Sequence, residues 1–258
     1  MLKIFTAGVA LPVVKKAAEK WNEAHELKAE VFSCGSVDLI RRLLSGDLCD
    51  VLISADEEII ASMLMPEHTD GYTVFAGNAM VLLANGEKGI TTDNWRDTIL
   101  NQSITFSHKD AFGDPGGYRA VMAMELADKV EEGLSEKLFS HKGYLGAIKN
   151  VDLKRVFSCD YTFMYRSLCV GKQFAELPAI MNLSDDALAD EYAKASFAVD
   201  EQNTVYGTPI SHALTIPFEA PHPAEAREFA RLFMETDFEA EGFVKKYRVV
   251  GKDITQAD

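Results

Sequence analysis

The segment Cys49-Asp50-Val51-Leu52-Ile53-Ser54-Ala55-Asp56 is a short, nearly all-apolar strand run. A strand without polar alternation is covered on both faces, which is the situation of a parallel sheet flanked by helices. Its surroundings repeat that layout. Met1 to Val9 reads as a strand and Leu11 to Ala24 as an amphipathic helix, with Val14, Ala17, Ala18 and Trp21 on one face. Glu30 to Ser33 is a second strand, and Cys34-Gly35-Ser36-Val37-Asp38 turns into a helix over Leu39 to Leu44. Strands alternating with helices along the chain predict an α/β architecture with right-handed crossovers.

At 258 residues, 47% of them hydrophobic, the chain sits near the size at which one core divides into two. The run Thr73 to Ala84 is strand-like but broken at Gly77-Asn78, where a strand can leave one lobe for the other. The expected division is residues 1–77 with 206–258 as one lobe and 78–205 as the other, with a ligand cleft between them. Ser103 to Phe106 is predicted to be a strand, Asp128 to Gly146 a solvated helix pair or loop, and Phe238 to Tyr247 a closing helix.

The formal charge of −14 excludes nucleic acid and anionic membrane surfaces as partners, because both require clustered Lys and Arg. No run approaches the length needed to span a bilayer. Met1-Leu2-Lys3-Ile4-Phe5-Thr6 enters a strand without a signal-peptide layout, so the protein is either intracellular or starts after a removed leader. Cys34, Cys49, Cys159 and Cys169 lack metal-site spacing and read mainly as buried free thiols, with a disulfide left open. His108, His141 and His212 stand beside no activated nucleophile pattern, and catalysis is not expected.

The stretch Ser107 to Arg119 (SHKDAFGDPGGYR) follows a strand-like run and opens a helix. Asp114-Pro115-Gly116-Gly117 makes a tight turn, so the N–H groups of Gly116, Gly117 and Tyr118 are expected to point out of a helix start, as an anion cradle does. Asp-Pro before a helix is also an ordinary cap. Three loops end in helix starts, namely Thr6 to Ala10, Ser33 to Val37 and Asp114 to Tyr118, and Met164-Tyr165-Arg166 is a fourth loop of the same kind. Such loops meet outside the carboxyl ends of parallel strands, and Ser36 and Tyr165 add neutral donors.

Phe5-Thr6-Ala7-Gly8, Cys34-Gly35-Ser36, Phe75 to Val81, Asp114 to Arg119, Asp160 to Ser167 and Leu214-Thr215-Ile216-Pro217, in this order and spacing, make the chain similar to the molybdate/tungstate-binding proteins of ABC transporters, nearest the archaeal-type branch. The resemblance implies a two-lobe fold of the periplasmic-binding-protein type II class, each lobe a mixed, mostly parallel sheet flanked by helices. It also implies capture of molybdate, tungstate or a related anion such as sulfate, an extracytoplasmic location, a transporter permease as partner, a monomer, and no cofactor beyond the oxyanion and its metal centre.

The family pattern implies donors at Ser36, Gly116 and Tyr165 and a carboxylate at Asp114 near the metal centre, and the turn itself adds Gly117 as a candidate. Where the family has Ala-Gly-Ser this chain has Ala7-Gly8-Val9, leaving only the N–H of Val9, and the family's Glu falls on Ala147, with Asn150 nearby. Asp114 is therefore expected mainly to cap its helix. The alternatives are a stand-alone anion or small-carboxylate sensor of the same fold, and an enzyme using Asp114, Tyr165 and Arg119 on a small organic substrate.

Overall fold

The computed structural model describes residues 1–86, 89–148 and 158–256. The chain divides into two compact units: Met1–Gly77 with Ser211–Asp258, and Asn78–Ile210. Expected lobes and observed units part company only on residues 206–210. These belong with the second unit because the N–H of Gly207 donates to the Ala195 carbonyl and that of Ile210 to Leu183.

In unit 1 the chain runs β1 (Leu2–Ala7), α1 (Leu11–Ala24), β2 (Ala29–Cys34), α2 (Ser36–Leu44), β3 (Val51–Ser54), α3 (Glu57–Met63) and β4 (Gly71–Gly77). After the second unit it returns as β12 (Ser211–Thr215), α9 (Pro223–Met234) and β13 (Arg248–Gly251). The sheet order is β13-β4-β12-β3-β1-β2. β1 pairs in parallel with β2 and β3, whereas β12 and β13 pair antiparallel with their neighbours.

α1 covers the predicted residues, and Pro12 suits its first turn because that N–H needs no partner. Val13, Val14, Ala17, Ala18 and Trp21 are buried, and Trp21 meets Phe229 of α9 edge-on with ring centroids 5.9 Å apart. Phe238 to Tyr247 is not the expected helix. Gly242 takes φ +84°, which breaks helical geometry, while Phe238 and Phe243 pack on Phe75 of β4.

Unit 2 contains β5 (Met80–Ala84), α4 (Trp95–Ile99), β6 (Phe106–Lys109), α5 (Pro115–Glu125), α6 (Leu134–Phe139), β7 (Tyr144–Ile148), β8 (Tyr161–Tyr165) and β9 (Phe174–Glu176). Short helices α7 (Ala179–Asn182) and α8 (Ala189–Tyr192) and a ribbon of β10 (Ser196–Ala198) with β11 (Thr204–Tyr206) complete it. Its main sheet is β7-β6-β8-β5-β9, with β6 parallel to β7 and β8, and β5 antiparallel to β8 and β9. Both sheets are mixed: β5 is antiparallel to both its neighbours in unit 2, and β12 and β13 bring the antiparallel pairs of unit 1.

β6 begins at Phe106, not Ser103. The Ile104 N–H closes a turn on Asn101, and the N–H and hydroxyl of Thr105 both donate to the Asp160 carboxylate, so these donors are spent on a turn and a side chain, although the Thr105 carbonyl already accepts from Tyr161 of β8. The charged stretch before Gly146 is not wholly solvated, since Leu134 and Leu138 of α6 are fully buried.

The chain enters unit 2 at Asn78, whose Oδ1 accepts from the Ser167 N–H and whose Nδ2 donates to Ser167 Oγ at 2.8 Å. It leaves past Thr208, whose Oγ1 and carbonyl accept from the fully buried Arg119 of α5.

His108 is buried in β6, with Nδ1 2.6 Å from the Lys109 carbonyl and Nε2 2.7 Å from the Tyr144 hydroxyl. Burial holds its pKa below the usual value near 6.5. The unfolded chain then takes up this proton first, so the contribution is intact above about pH 6.5 and is lost as pH falls through the folded value. Urea unfolding from pH 8 down to pH 5 is expected to show a smaller loss of stability in His108→Gln than in the wild type.

Candidate functional site

In unit 1 the carboxyl ends of three parallel strands lie level, because Ala7 pairs with Cys34 and Thr6 with Ile53. Each strand turns there into a helix. α1 starts behind Ala10, which offers no side-chain cap, and the Val9 side chain is buried in the core, so Val9 can contribute only its backbone.

α2 starts behind Gly35, and Ser36 is its first residue rather than its cap. Ser36 is fully buried, and its Oγ accepts the Ala55 N–H at 2.9 Å, tying the second loop to the third. A hydroxyl that accepts one bond keeps its proton to donate. In the third loop Asp56 caps α3 by accepting from the Glu58 N–H at 3.1 Å.

In unit 2 the corresponding edge is formed by β6 and β8, which run parallel from Phe106 beside Tyr161. β6 ends at Lys109. The Asp114 N–H donates to the Asp110 carbonyl at 3.0 Å, turning the chain so that Asp114 becomes the N-cap of α5. Asp114 Oδ1 accepts the Gly116 N–H at 2.8 Å, and its carbonyl accepts the Gly117 N–H at 2.8 Å. The predicted cap is therefore present. It engages two of the three amide protons expected to face a ligand, those of Gly116 and Gly117.

The glycines have different reasons. A Cβ at Gly117 would lie 2.5 Å from the Lys109 carbonyl oxygen and 2.6 Å from the Ala111 nitrogen, so α5 starts in direct contact with the backbone that precedes it. A Cβ at Gly116 would meet only side chains, with Asp114 Oδ1 and Tyr165 Cε2 each at 3.2 Å. Tyr165, buried at the end of β8, thus packs its ring beside Gly116 as the shared sheet edge requires.

Lys109 was not singled out by sequence reasoning. Its Nζ lies 3.0 Å from Asp114 Oδ2, and both side chains are about nine-tenths buried. The available signal was a lysine closing an apolar strand five residues before the capping aspartate. Asn150 lies outside the described residues, and Ala147 lies on β7 in register with His108.

Arg119, which the enzyme alternative groups with Asp114 and Tyr165, is fully buried in α5. Its guanidinium donates to the carbonyls of Tyr206 and Thr208 and to Thr208 Oγ1. His212 is likewise engaged, with Nδ1 2.8 Å from the Ala55 carbonyl. The four cysteines are free thiols, and no group of acidic, His or Cys side chains fit to hold a metal ion occurs among the described residues.

Overpacking at a rigid contact costs about 1–3 kcal/mol. Gly117→Ala is therefore expected to lower the unfolding midpoint clearly more than Gly116→Ala, measured by thermal denaturation of the two variants side by side.

The model of the bacterial extracellular solute-binding protein family matches residues 2–243. An uncharacterized solute-binding protein of Petrotoga mobilis is 32% identical over 249 residues, spanning 88% of this chain and 77% of the relative. The molybdate/tungstate-binding protein WtpA of Pyrococcus abyssi is 28% identical over 235 residues, spanning 78% of this chain and 68% of its own. Among solved structures, the periplasmic molybdate-binding protein of Azotobacter vinelandii matches with a TM-score of 0.68 at 16% identity, covering 95% of this chain and 100% of that one. The sulfate-binding protein SubI of Mycobacterium tuberculosis matches with a TM-score of 0.60 at 15% identity, covering 94% and 85%. These two structures speak to the fold, a two-unit α/β binding-protein architecture. The family match over nearly the whole chain, joined by a relative above 30% identity, assigns the sequence: it belongs to the bacterial extracellular solute-binding proteins.

Proposed function

We propose that this chain captures a small oxyanion outside the cytoplasm, molybdate or tungstate or a related anion such as sulfate, and delivers it to an ABC transporter permease, working as a monomer without a cofactor. The observation that carries the reading is the polar chemistry at the helix starts. Ser36 retains a hydroxyl proton and Tyr165 brings a phenol beside Gly116, while Asp56 and Asp114 spend their charge as helix caps and Lys109 offsets that of Asp114. Donors with neutralised carboxylates suit an anion. The names of the relatives WtpA and SubI support the same ligand class.

The backbone N–H of Val9, the Ser36 hydroxyl and the Tyr165 hydroxyl are the proposed ligand donors. Asp114, Gly116 and Gly117 shape the site by fixing the start of α5. Asn150 remains a candidate from the sequence alone.

The test is a thermal-shift screen of ligand-stripped protein against molybdate, tungstate, sulfate, phosphate, chromate and small carboxylates. Ligand at one hundred times its dissociation constant stabilises the folded state by about 2.7 kcal/mol, so a clear upward shift with at least one oxyanion is expected. No shift with any oxyanion overturns the reading, and a shift confined to carboxylates moves it to organic acids. Each hydrogen bond to a charged ligand contributes about 1.5–3 kcal/mol, so Ser36→Ala and Tyr165→Phe are each expected to weaken binding by roughly one to two decades in calorimetric titration.

A further inference from the structure

Burying an ion pair costs desolvation of both charges, and a helix can be capped equally well by Ser, Thr or Asn without any counter-ion. The Lys109–Asp114 pair is therefore more than helix capping requires. Its geometry shows what it achieves. The Asp114 carboxylate has two oxygens; Oδ1 is held by the Gly116 N–H at 2.8 Å and Oδ2 by Lys109 Nζ at 3.0 Å. The aliphatic stem of Lys109 and the ring of Tyr165 both approach Gly116, with Cδ and Cε2 at 3.6 and 3.2 Å from the position a Cβ would take. The stem of Lys109, the capped carboxylate and the ring of Tyr165 thus converge on one residue of the helix start.

Resting on the oxyanion reading above, we propose that Lys109 is a specificity-determining residue that occupies the second oxygen of Asp114 and so removes the acceptor a protonated ligand would need. Oxyanions of similar charge differ in one chemical respect that such an arrangement detects. Sulfate, molybdate and tungstate dianions carry no proton and require donors alone. Hydrogenphosphate carries a proton that must be accepted, and a site that leaves it unpaired rejects the ligand. With Lys109 in place Asp114 offers it nothing, and the ammonium also offsets the charge that would otherwise repel a dianion. The selected class is the proton-free tetrahedral dianion.

Calorimetric titration with molybdate, sulfate and phosphate at about pH 8, where phosphate is a dianion bearing one proton, tests this on four proteins: wild type, Lys109→Met, Asp114→Asn and the double variant. The wild type is expected to bind molybdate or sulfate and to discriminate strongly against phosphate. Lys109→Met bares Oδ2, so proton-free dianions weaken by roughly ten- to a hundredfold, the factor of one charge-assisted hydrogen bond, while phosphate does not weaken. Adding Asp114→Asn to Lys109→Met removes the bared carboxylate and returns dianion affinity toward the wild-type value.

Equal weakening of all three anions in Lys109→Met, or a double variant as weak as the single one, overturns the inference and makes Lys109 a direct contact or a structural prop. If Lys109→Met does not fold, Asp114→Asn decides: a severalfold gain in dianion affinity supports the inference, and loss of dianion binding overturns it by making Asp114 itself a ligand group. Failure of the wild type to bind any oxyanion rejects the functional reading instead. Selectivity left unaltered in Lys109→Met, with wild-type binding intact, rejects this inference alone.

Discussion

The placement of β12 governs the rest of the architecture. It lies between β4 and β3 in the sheet of unit 1, antiparallel to both, yet it is made only after the chain has completed unit 2. Residues 1–77 alone would leave the facing edges of β3 and β4 unpaired, and buried backbone groups do not tolerate that. The returning segment also supplies the inner contacts that close the unit. His212 reaches the Ala55 carbonyl, Thr215 Oγ1 reaches the Gly71 carbonyl at 2.7 Å, and Phe233, Phe238 and Phe243 surround Phe75. Unit 2 is by contrast one continuous stretch, and its strand ladders are satisfied among themselves. Unit 1 is therefore complete only when residues 211–258 have joined residues 1–77.

The starts of α1, α2, α3 and α5 each follow a strand of a parallel pair, where backbone N–H groups and aligned peptide dipoles favour negative charge. Against that stands a chain of formal charge −14. That overall field would slow the arrival of the proposed anion, whose retention would rest on groups at hydrogen-bonding range. Asp56 and Asp114 illustrate how the acidity is contained. Each lies at a helix start, where a carboxylate is stabilised by the dipole and by the N–H groups it accepts. Lys109 adds a buried cation at the second of these positions.

Much of this was legible in the residues because the signals were local. The apolar spacing of α1, the Pro in its first turn and the Gly77-Asn78 break each state a rule confined to a few neighbouring positions, and the structure keeps all three. The cap at Asp114 was legible for the same reason. Misreadings came where distant partners decide. Ser103 to Thr105 has the residues of a strand, but the N–H and hydroxyl of Thr105 go to the Asp160 carboxylate and not to a neighbouring strand. Phe238 to Tyr247 has helical apolar spacing, but the aromatic cluster around Phe75 and the left-handed Gly242 settle it as turns. Helix geometry leaves the N–H groups of Gly116 and Gly117 open, and the sequence offers both a cap and an anion as their partner; the structure gives them to Asp114. Lys109 escaped because a lysine at a strand end normally reaches solvent, and only the fold shows that it is buried against Asp114.

The chain passes between its two units in single peptide steps. Gly77 is bonded in both directions to Val244 in unit 1, while Asn78 is fastened to Ser167 in unit 2; Ile210 is held by Leu183, and Ser211 already belongs to β12. Gly77 and Ser211 are register partners, so the two steps stand side by side. The register of β12 on β4 therefore fixes both crossings at once. A one-residue slip of β12 would turn its side chains to the opposite face and would also carry Ser211 away from Gly77, so an error in pairing would be an error in where the chain re-enters unit 1.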